Sequence, residues 1–135
     1  MQIEISTIRP PNIDQLLYLF RQTGWLDKTD KARIKSMVEN STIVATAWDN
    51  HSMVGFARCM TDFVFNGQIN NVVVDEEYRG CSIGKRLVRK ILNSGEKVTY
   101  ILRPDPENIR FYEKLGFENS NSVIYKRKKE IYETN

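Results

Sequence analysis

The stretch YRGCSIGK, residues 78–85, sets Arg79, Gly80, Cys81, Ser82, Ile83, Gly84 and Lys85 between a run of valines and an amphipathic run. Such a junction suits an anion. The first amides of a helix have no internal partner and carry the positive end of its dipole. Glycines such as Gly80 and Gly84 let the chain bend tightly and let a ligand reach the backbone. Arg79 and Lys85 add charge, and Ser82 adds a hydroxyl donor. Together these meet the demands of a pyrophosphate cradle. The spacing is neither G-x-x-x-x-G-K-[ST] nor G-x-G-x-x-G. Turn glycines flanked by solvated charges would account for the same residues, so the spacing by itself leaves both readings open.

A second pair is Asn108 and Tyr112, spaced i, i+4 and so on one face of a helix. A phenol there either packs in a core or hands over a proton. The remaining reactive side chains are few. The one histidine, His51, lies in the turn DNHS, where exposure is expected. Cys59 and Cys81 are too few for a disulfide framework or a zinc site. They read as free thiols of a reducing, cytoplasmic setting. With no Ser–His or Cys–His pair evident, no covalent acyl-enzyme is expected, and no metal is called for.

Periodicity gives the strands and helices that carry these groups. IEIS alternates as a strand and is stopped by Pro10 and Pro11. NIDQLLYLFRQTG reads as a helix with Asn12 at its N-cap, Ile13, Leu16, Leu17 and Phe20 as its apolar stripe, and Gly24 as its stop. A second helix is expected from Thr29 or Asp30 to Val38. STIVATAWD and SMVGFARCM, joined by DNHS, form a hairpin signal. GQINNVVVD, mostly apolar in its C-terminal half, reads as a strand buried on both faces, IGKRLVRKILNSG as a helix, and VTYIL as another continuous apolar strand. DPENIRFYEKLGF reads as a helix with Asp105 at the N-cap, Pro106 in the first turn and Gly116 past its end. SVIYKRK reads as a last strand. The strand–helix–strand unit from NNVVVD through VTYIL implies parallel neighbours, while the hairpin is antiparallel. The fold class is therefore α/β (α+β): a mixed sheet with helices on both faces.

Bulk properties exclude several functions. A chain of 135 residues fits one domain over 1–135. Charged residues at 27% and hydrophobic residues at 41% are ordinary for a globular protein. A net charge of +3 is too small to argue for nucleic acid. No apolar run approaches the ~20 residues of a membrane helix, and the polar start MQIEISTIRPP lacks a signal-peptide core. Lys126, Arg127, Lys128 and Lys129 read as a solvated tail.

VVVDEEYRGCSIGKRLVRKIL resembles the acyl-CoA-binding segment of GNAT-type N-acetyltransferases. That motif, [Q/R]-x-x-G-x-[G/A], falls on Arg79 through Gly84, with Ser82 where glycine is usual. A serine fits such a turn if its φ is negative. PENIRFYEKLGFE resembles the family's later motif, and the element order agrees over nearly the whole chain. The resemblance implies a mostly antiparallel sheet whose central parallel strand pair splays apart, with acetyl-CoA as co-substrate in the gap. The strand carrying Val72, Val73 and Val74 would pair with pantetheine through main-chain groups near Val72 and Val74, with one amide polarising the thioester carbonyl. Arg79, Gly80, Cys81, Ser82, Ile83, Gly84 and Lys85 would hold the diphosphate. Asn108 would contact the pantetheine arm, and Tyr112, with an ordinary pKa near ~10, would return a proton to the leaving thiolate.

The implied reaction is direct attack of a primary amine within a ternary complex. Asp62 is the first candidate for the base, or for an ion pair with the ammonium. Tyr18, Trp25, Phe63 and Phe65, with Asp62, are the candidate acceptor pocket, and an aromatic site with one acid suits a small-molecule amine. Core or interface packing is the competing reading for those aromatics. Protein amines, polyamines and aminoglycosides stay open as acceptors, and a homodimer is the family-level expectation. The alternative function is a non-catalytic acyl-CoA-binding regulatory module; a nucleotide-binding protein is a third.

Overall fold

The computed structural model describes residues 2–25 and 30–127. The chain falls into two compact units that meet at Arg103 and Pro104.

The first unit is built on a five-stranded sheet: β1 (Glu4–Ser6), β2 (Ile43–Asp49), β3 (Ser52–Thr61), β4 (Asn66–Val74) and β5 (Thr99–Ile101). Strand order follows chain order. β1 to β4 pair antiparallel, and β4 pairs with β5 in parallel. Three helices cover it: α1 (Ile13–Gln22), α2 (Lys31–Asn40) and α3 (Ile83–Asn93). The expected mixed, mostly antiparallel sheet is thus present.

α1 forms where the sequence caps it. Asn12 Oδ1 accepts the Gln15 amide at 3.0 Å. The buried stripe is Leu16, Leu19 and Phe20. Leu19, absent from the expected stripe, is fully buried, while Ile13 and Leu17 are only partly so. Asp30 caps α2 through the amides of Ala32 and Arg33. Of the two starting residues expected for this helix, Thr29 lies outside the described residues. These helices pack with Trp48, Met53, Phe56 and Val73 on one face of the sheet. Each such large side chain contributes roughly 1.5–3 kcal/mol on burial.

The other face of the sheet is small. Ala45, Ala47, Gly55 and Ala57 lie side by side across β2 and β3, and α3 seats Ile83, Leu87, Val88 and Ile91 in the core. A Cβ on Gly55 would meet Leu87 Cδ1 at 3.0 Å, Ala47 Cβ at 3.1 Å and Ile83 Cγ2 at 3.2 Å. Glycine here sets how closely α3 approaches.

The hairpin at DNHS is a two-residue turn, Asn50–His51, between Asp49 and Ser52. Asn50 takes φ 54°, and His51 is exposed as expected.

The second unit holds a 3-10 turn, Pro106–Asn108, and α4 (Ile109–Glu113). This is shorter than the helix read from the sequence. Asp105 makes no side-chain cap; its carbonyl instead accepts the Asn108 amide at 2.8 Å, closing a tight turn. After α4 the amides of Gly116 and Phe117 return to Glu113 and Tyr112 at 3.0 and 3.1 Å. With Gly116 at φ +92° this is the expected glycine stop, in Schellman form. SVIYKRK does not form the expected strand: residues 121–127 have no regular structure, and Val123, Ile124 and Tyr125 are exposed. Asn119 and Ser120 side chains take the amides of Asn121 and Ser122. Such local bonds compete with a strand ladder. Lys128 and Lys129 lie outside the described residues.

Candidate active site

The site is best followed along β4. Its parallel pairing with β5 stops at Gln68↔Ile101, yet β4 runs on to Val74. Beyond Gln68 the β5-side edge of β4 has no strand across from it among the described residues. On the opposite edge, two residues of β4, Asn71 and Val72, oppose Ala57 of β3. This is a bulge, with Asn71 at φ 53°. The Asn71 Oδ1 accepts Arg58 Nε at 2.7 Å and fixes the bulge; burial lowers the pKa of that guanidinium.

The bulge decides which amides face the gap. The Asp75 amide donates to Val54 O on β3 at 2.8 Å. Main-chain groups alternate along a strand, so those of Val74 and Val72 point away from β3. Arg79 Nε donates to the Val74 carbonyl at 3.4 Å, in keeping with that direction. Val73 faces the other way in both senses: its side chain is buried in the core. The strand that the sequence offered through Val72, Val73 and Val74 thus turns Val72 and Val74, but not Val73, away from β3.

β4 leads into the bend. Asp75 caps a 3-10 turn, Glu76–Tyr78, through the Glu77 amide at 3.0 Å. Gly80 then takes φ +83°, a conformation that costs glycine nothing. Ser82 takes φ 63°, ψ 17° and ends as the N-cap of α3 without a side-chain cap bond. The expectation of a negative φ is therefore corrected. The turn demands a left-handed residue at this position, and serine meets the demand at a steric cost. Because no side chain caps α3, the amides of Ile83, Gly84 and Lys85 lack that partner. No acid sits in the first turn of α3. Arg79, Gly80, Cys81 and Ser82 are exposed, while Ile83 is buried and holds the helix to the sheet. The bend thus offers main-chain donors, the positive end of a dipole and two cations. Such a surface fits a diphosphate.

In the second unit, Asn108 precedes α4 as its N-cap, one turn before Tyr112. The Tyr112 ring meets Phe111 and Phe117 edge-on, at 4.9 and 5.9 Å between centroids. Burial, with a smaller push from Asp105, raises its pKa to about 12. The phenol is not the unperturbed one that the sequence led us to expect. It stays protonated across the physiological range, as a proton donor must.

Asp62 has a structural duty. Its Oδ1 accepts the amides of Val64 and Phe65, each at 2.8 Å, and of Asn66 at 3.2 Å. These bonds hold its pKa below the usual carboxylate value. That suits an anion that holds a cation better than a base that collects protons. The aromatics named with it have different surroundings. Trp25 packs edge-on against Phe20 at 5.1 Å. Phe63 and Phe65 are exposed on the β3–β4 loop. Tyr18 lines an open cleft of about 420 Å³ with Asp14, Asp75, Glu77 and Tyr78. Sequence reasoning passed over Asn71 and Tyr78; the signal for the first was an asparagine, tolerant of positive φ, inside a strand just ahead of its valines.

The sequence pattern of the acetyltransferase (GNAT) family matches residues 11–117, across both units. A relative described as an uncharacterized N-acetyltransferase, ycf52, of Pyropia yezoensis is 31% identical over 122 residues, covering 85% of this chain and 70% of that protein. Among solved structures, a putative GNAT-family acetyltransferase from Xanthomonas campestris pv. campestris superposes with TM-score 0.81 at 19% identity, covering 95% of this chain and 94% of that one. The enzyme AAC(6')-Iy, solved with a bisubstrate analog, CoA-S-monomethyl-acetylneamine, superposes with TM-score 0.73 at 18% identity, covering 96% and 99%. The chain belongs to the acetyltransferase (GNAT) family.

Proposed function

We propose that this acetyltransferase moves an acetyl group from acetyl-CoA directly to a primary amine, within a ternary complex. The observation that carries the reading is the continuity of β4 with the bend. Among the described residues, its edge toward β5 is unpaired beyond Gln68. It then passes into a turn whose φ values at Gly80 and Ser82 leave the α3 amides uncapped. The bound thioester supplies the acetyl group and the thiolate leaving group. The diphosphate lies against Gly80 to Lys85, with Arg79 and Lys85 balancing its charge. Val72 and Val74 offer main-chain groups to the pantetheine arm, and one of their amides stabilises the developing oxyanion. Asn108 orients the arm. The acceptor sheds its ammonium proton to solvent and attacks as the neutral amine. Tyr112 donates its proton to the sulfur as the carbon–sulfur bond breaks, and the N–H proton released as the amide forms restores the phenol through solvent. Its raised pKa keeps the phenol protonated but lies above the ordinary thiol value of about 8.5, so the proton transfer runs uphill from the value it has without ligand.

Asp62 attracts the ammonium of the acceptor through the carboxylate oxygen that the loop amides leave free, beside Phe63 and Phe65; of the other aromatics named with it, Tyr18 lines the cleft at the opposite end of β3 and β4, and Trp25 packs on Phe20. A small-molecule amine is the acceptor class such surroundings favour. Two free cysteines suit a reducing compartment such as the cytoplasm. No described helix is long and apolar enough to cross a membrane.

The test is release of free thiol from acetyl-CoA across a panel of amines, with coenzyme A binding followed by calorimetry. Turnover with at least one amine is expected, and Tyr112→Phe is expected to keep coenzyme A affinity while kcat falls about 10²-fold or more. Tight coenzyme A binding without turnover on any amine would instead favour a regulatory module. Unchanged kcat in Tyr112→Phe would remove the tyrosine from the chemistry.

A further inference from the structure

The bend between β4 and α3 begins at residues that are tied down, and one tie is a side-chain pair with no part in the family motif. Tyr78 Oη donates to Asp49 Oδ2 at 2.6 Å. Asp49 is the last residue of β2, at the mouth of the hairpin turn. A second tie runs to α1, where Gln22 Oε1 accepts the Glu76 amide at 3.0 Å. A third is main chain, from the Asp75 amide to Val54 O at 2.8 Å. Tyr78 itself closes the 3-10 turn by donating its amide to Asp75 O at 2.9 Å. The anchor points are in turn held. Arg9 Nη2 donates to Asn50 O at 3.1 Å, Gln15 Nε2 donates to His51 O at 3.3 Å, and Gln15 Oε1 accepts the Met53 amide. The hairpin is thus a braced post.

The segment after Tyr78 is the opposite. Arg79 to Ser82 are exposed, and the turn has left-handed residues at Gly80 and Ser82. Such a segment keeps its amides aimed in one direction only if its start is fixed, because exposed loop backbone is readily reoriented. A binding site whose donors must be ordered at the moment of binding loses affinity to that ordering.

We propose that Tyr78 and Asp49 are positioning residues for the diphosphate bend: their hydrogen bond pre-orients the Gly80–Lys85 amides and so sets affinity for the anionic end of the acetyl donor. The proposal rests on the diphosphate reading of the bend. It assigns neither residue a contact with substrate. The tyrosine hydroxyl acts through Asp49, on the strand across the hairpin, rather than on the ligand.

Calorimetric titration of coenzyme A into the full chain and four variants tests this. Tyr78→Phe and Asp49→Leu are each expected to raise Kd about tenfold, the loss of one hydrogen bond to a carboxylate. The double variant is expected to be no worse than either single one, because both remove the same link. Asp49→Asn is expected to stay within about twofold of the parent, since an amide oxygen still accepts from the phenol. Thermal midpoints are read in parallel. Parent-like affinity in Tyr78→Phe would overturn the proposal. So would additive losses in the double variant, a loss in Asp49→Asn equal to that in Asp49→Leu, or affinities that merely track the thermal midpoints. Should Tyr78→Phe fail to fold, Asp49→Asn against Asp49→Leu makes the same comparison. Failure of the parent to bind coenzyme A would instead defeat the diphosphate reading beneath it.

Discussion

Ser82 occupies a backbone conformation that glycine adopts more cheaply, at φ 63°. The left-handed region costs an L-residue about 1–2 kcal/mol, offset in part by the greater freedom glycine has in the unfolded chain. Ser82→Gly is therefore expected to raise the thermal midpoint, by up to about 1 kcal/mol of stability. A fall would mean that the serine hydroxyl has a partner that outweighs its strain. Tyr112 makes a second prediction at this scale. Its pKa is raised, so the folded state holds the phenolic proton more tightly than the unfolded state. That contribution is complete below about pH 10, the ordinary tyrosine value, and is lost as pH rises toward about 12. The Asp49 hydrogen bond raises Tyr78 and burial raises Tyr100 as well, so an ultraviolet titration of the folded protein is expected to show several late tyrosinate steps, one of which Tyr112→Phe removes. Turnover is expected to show no loss from tyrosine ionisation below that step. These residues also mark what a sequence can show. Gly80 and Gly116 stood out because a chain-reversing glycine needs no partner to be read. The duty of Asp62 did not, because three amide bonds within one loop depend on that loop's path.

Among the elements, the contact of α3 with the sheet is the least forgiving. Gly55 has no room for a Cβ beside Ala47 and Ile83, and overpacking costs typically about 1–3 kcal/mol. Gly55→Val is expected to lose that much stability by denaturant unfolding and to weaken coenzyme A binding by displacing α3. An unchanged stability would show that the helix shifts freely. The β3–β4 loop gives a companion test: Asp62→Ala is expected to speed amide exchange at Val64, Phe65 and Asn66, whereas Asp62→Asn retains an acceptor oxygen and most of the protection. Elements with a strong local signal were legible. Asn12 and Asp30 cap the helices that their positions announced, and DNHS turned as a hairpin. Elements that depend on a partner were less so. β5 is only Thr99–Ile101 although VTYIL reads as longer, and SVIYKRK alternates like a strand without forming one. Periodicity specifies a face; a ladder also needs a neighbour. The splay of β4 from β5 came through family resemblance, since a gap leaves no mark on valine spacing.

For the molecule as a whole, the proposed function depends on one surface: the main chain of β4 and the bend after it, assigned in that proposal to a thioester carrier's arm and diphosphate. Modest net charge and a lone, exposed histidine fit a protein that binds through backbone groups. Gly84→Glu is expected to abolish coenzyme A binding in a folded protein, by placing a like charge and bulk at the first turn of α3. The most direct measurement is a backbone amide spectrum of the isotope-labelled chain during titration with coenzyme A. The largest shifts are expected at Val72, Val74 and Gly80 through Lys85, with Val73 changing less. Saturable binding that leaves those amides unmoved, and shifts others instead, would contradict it.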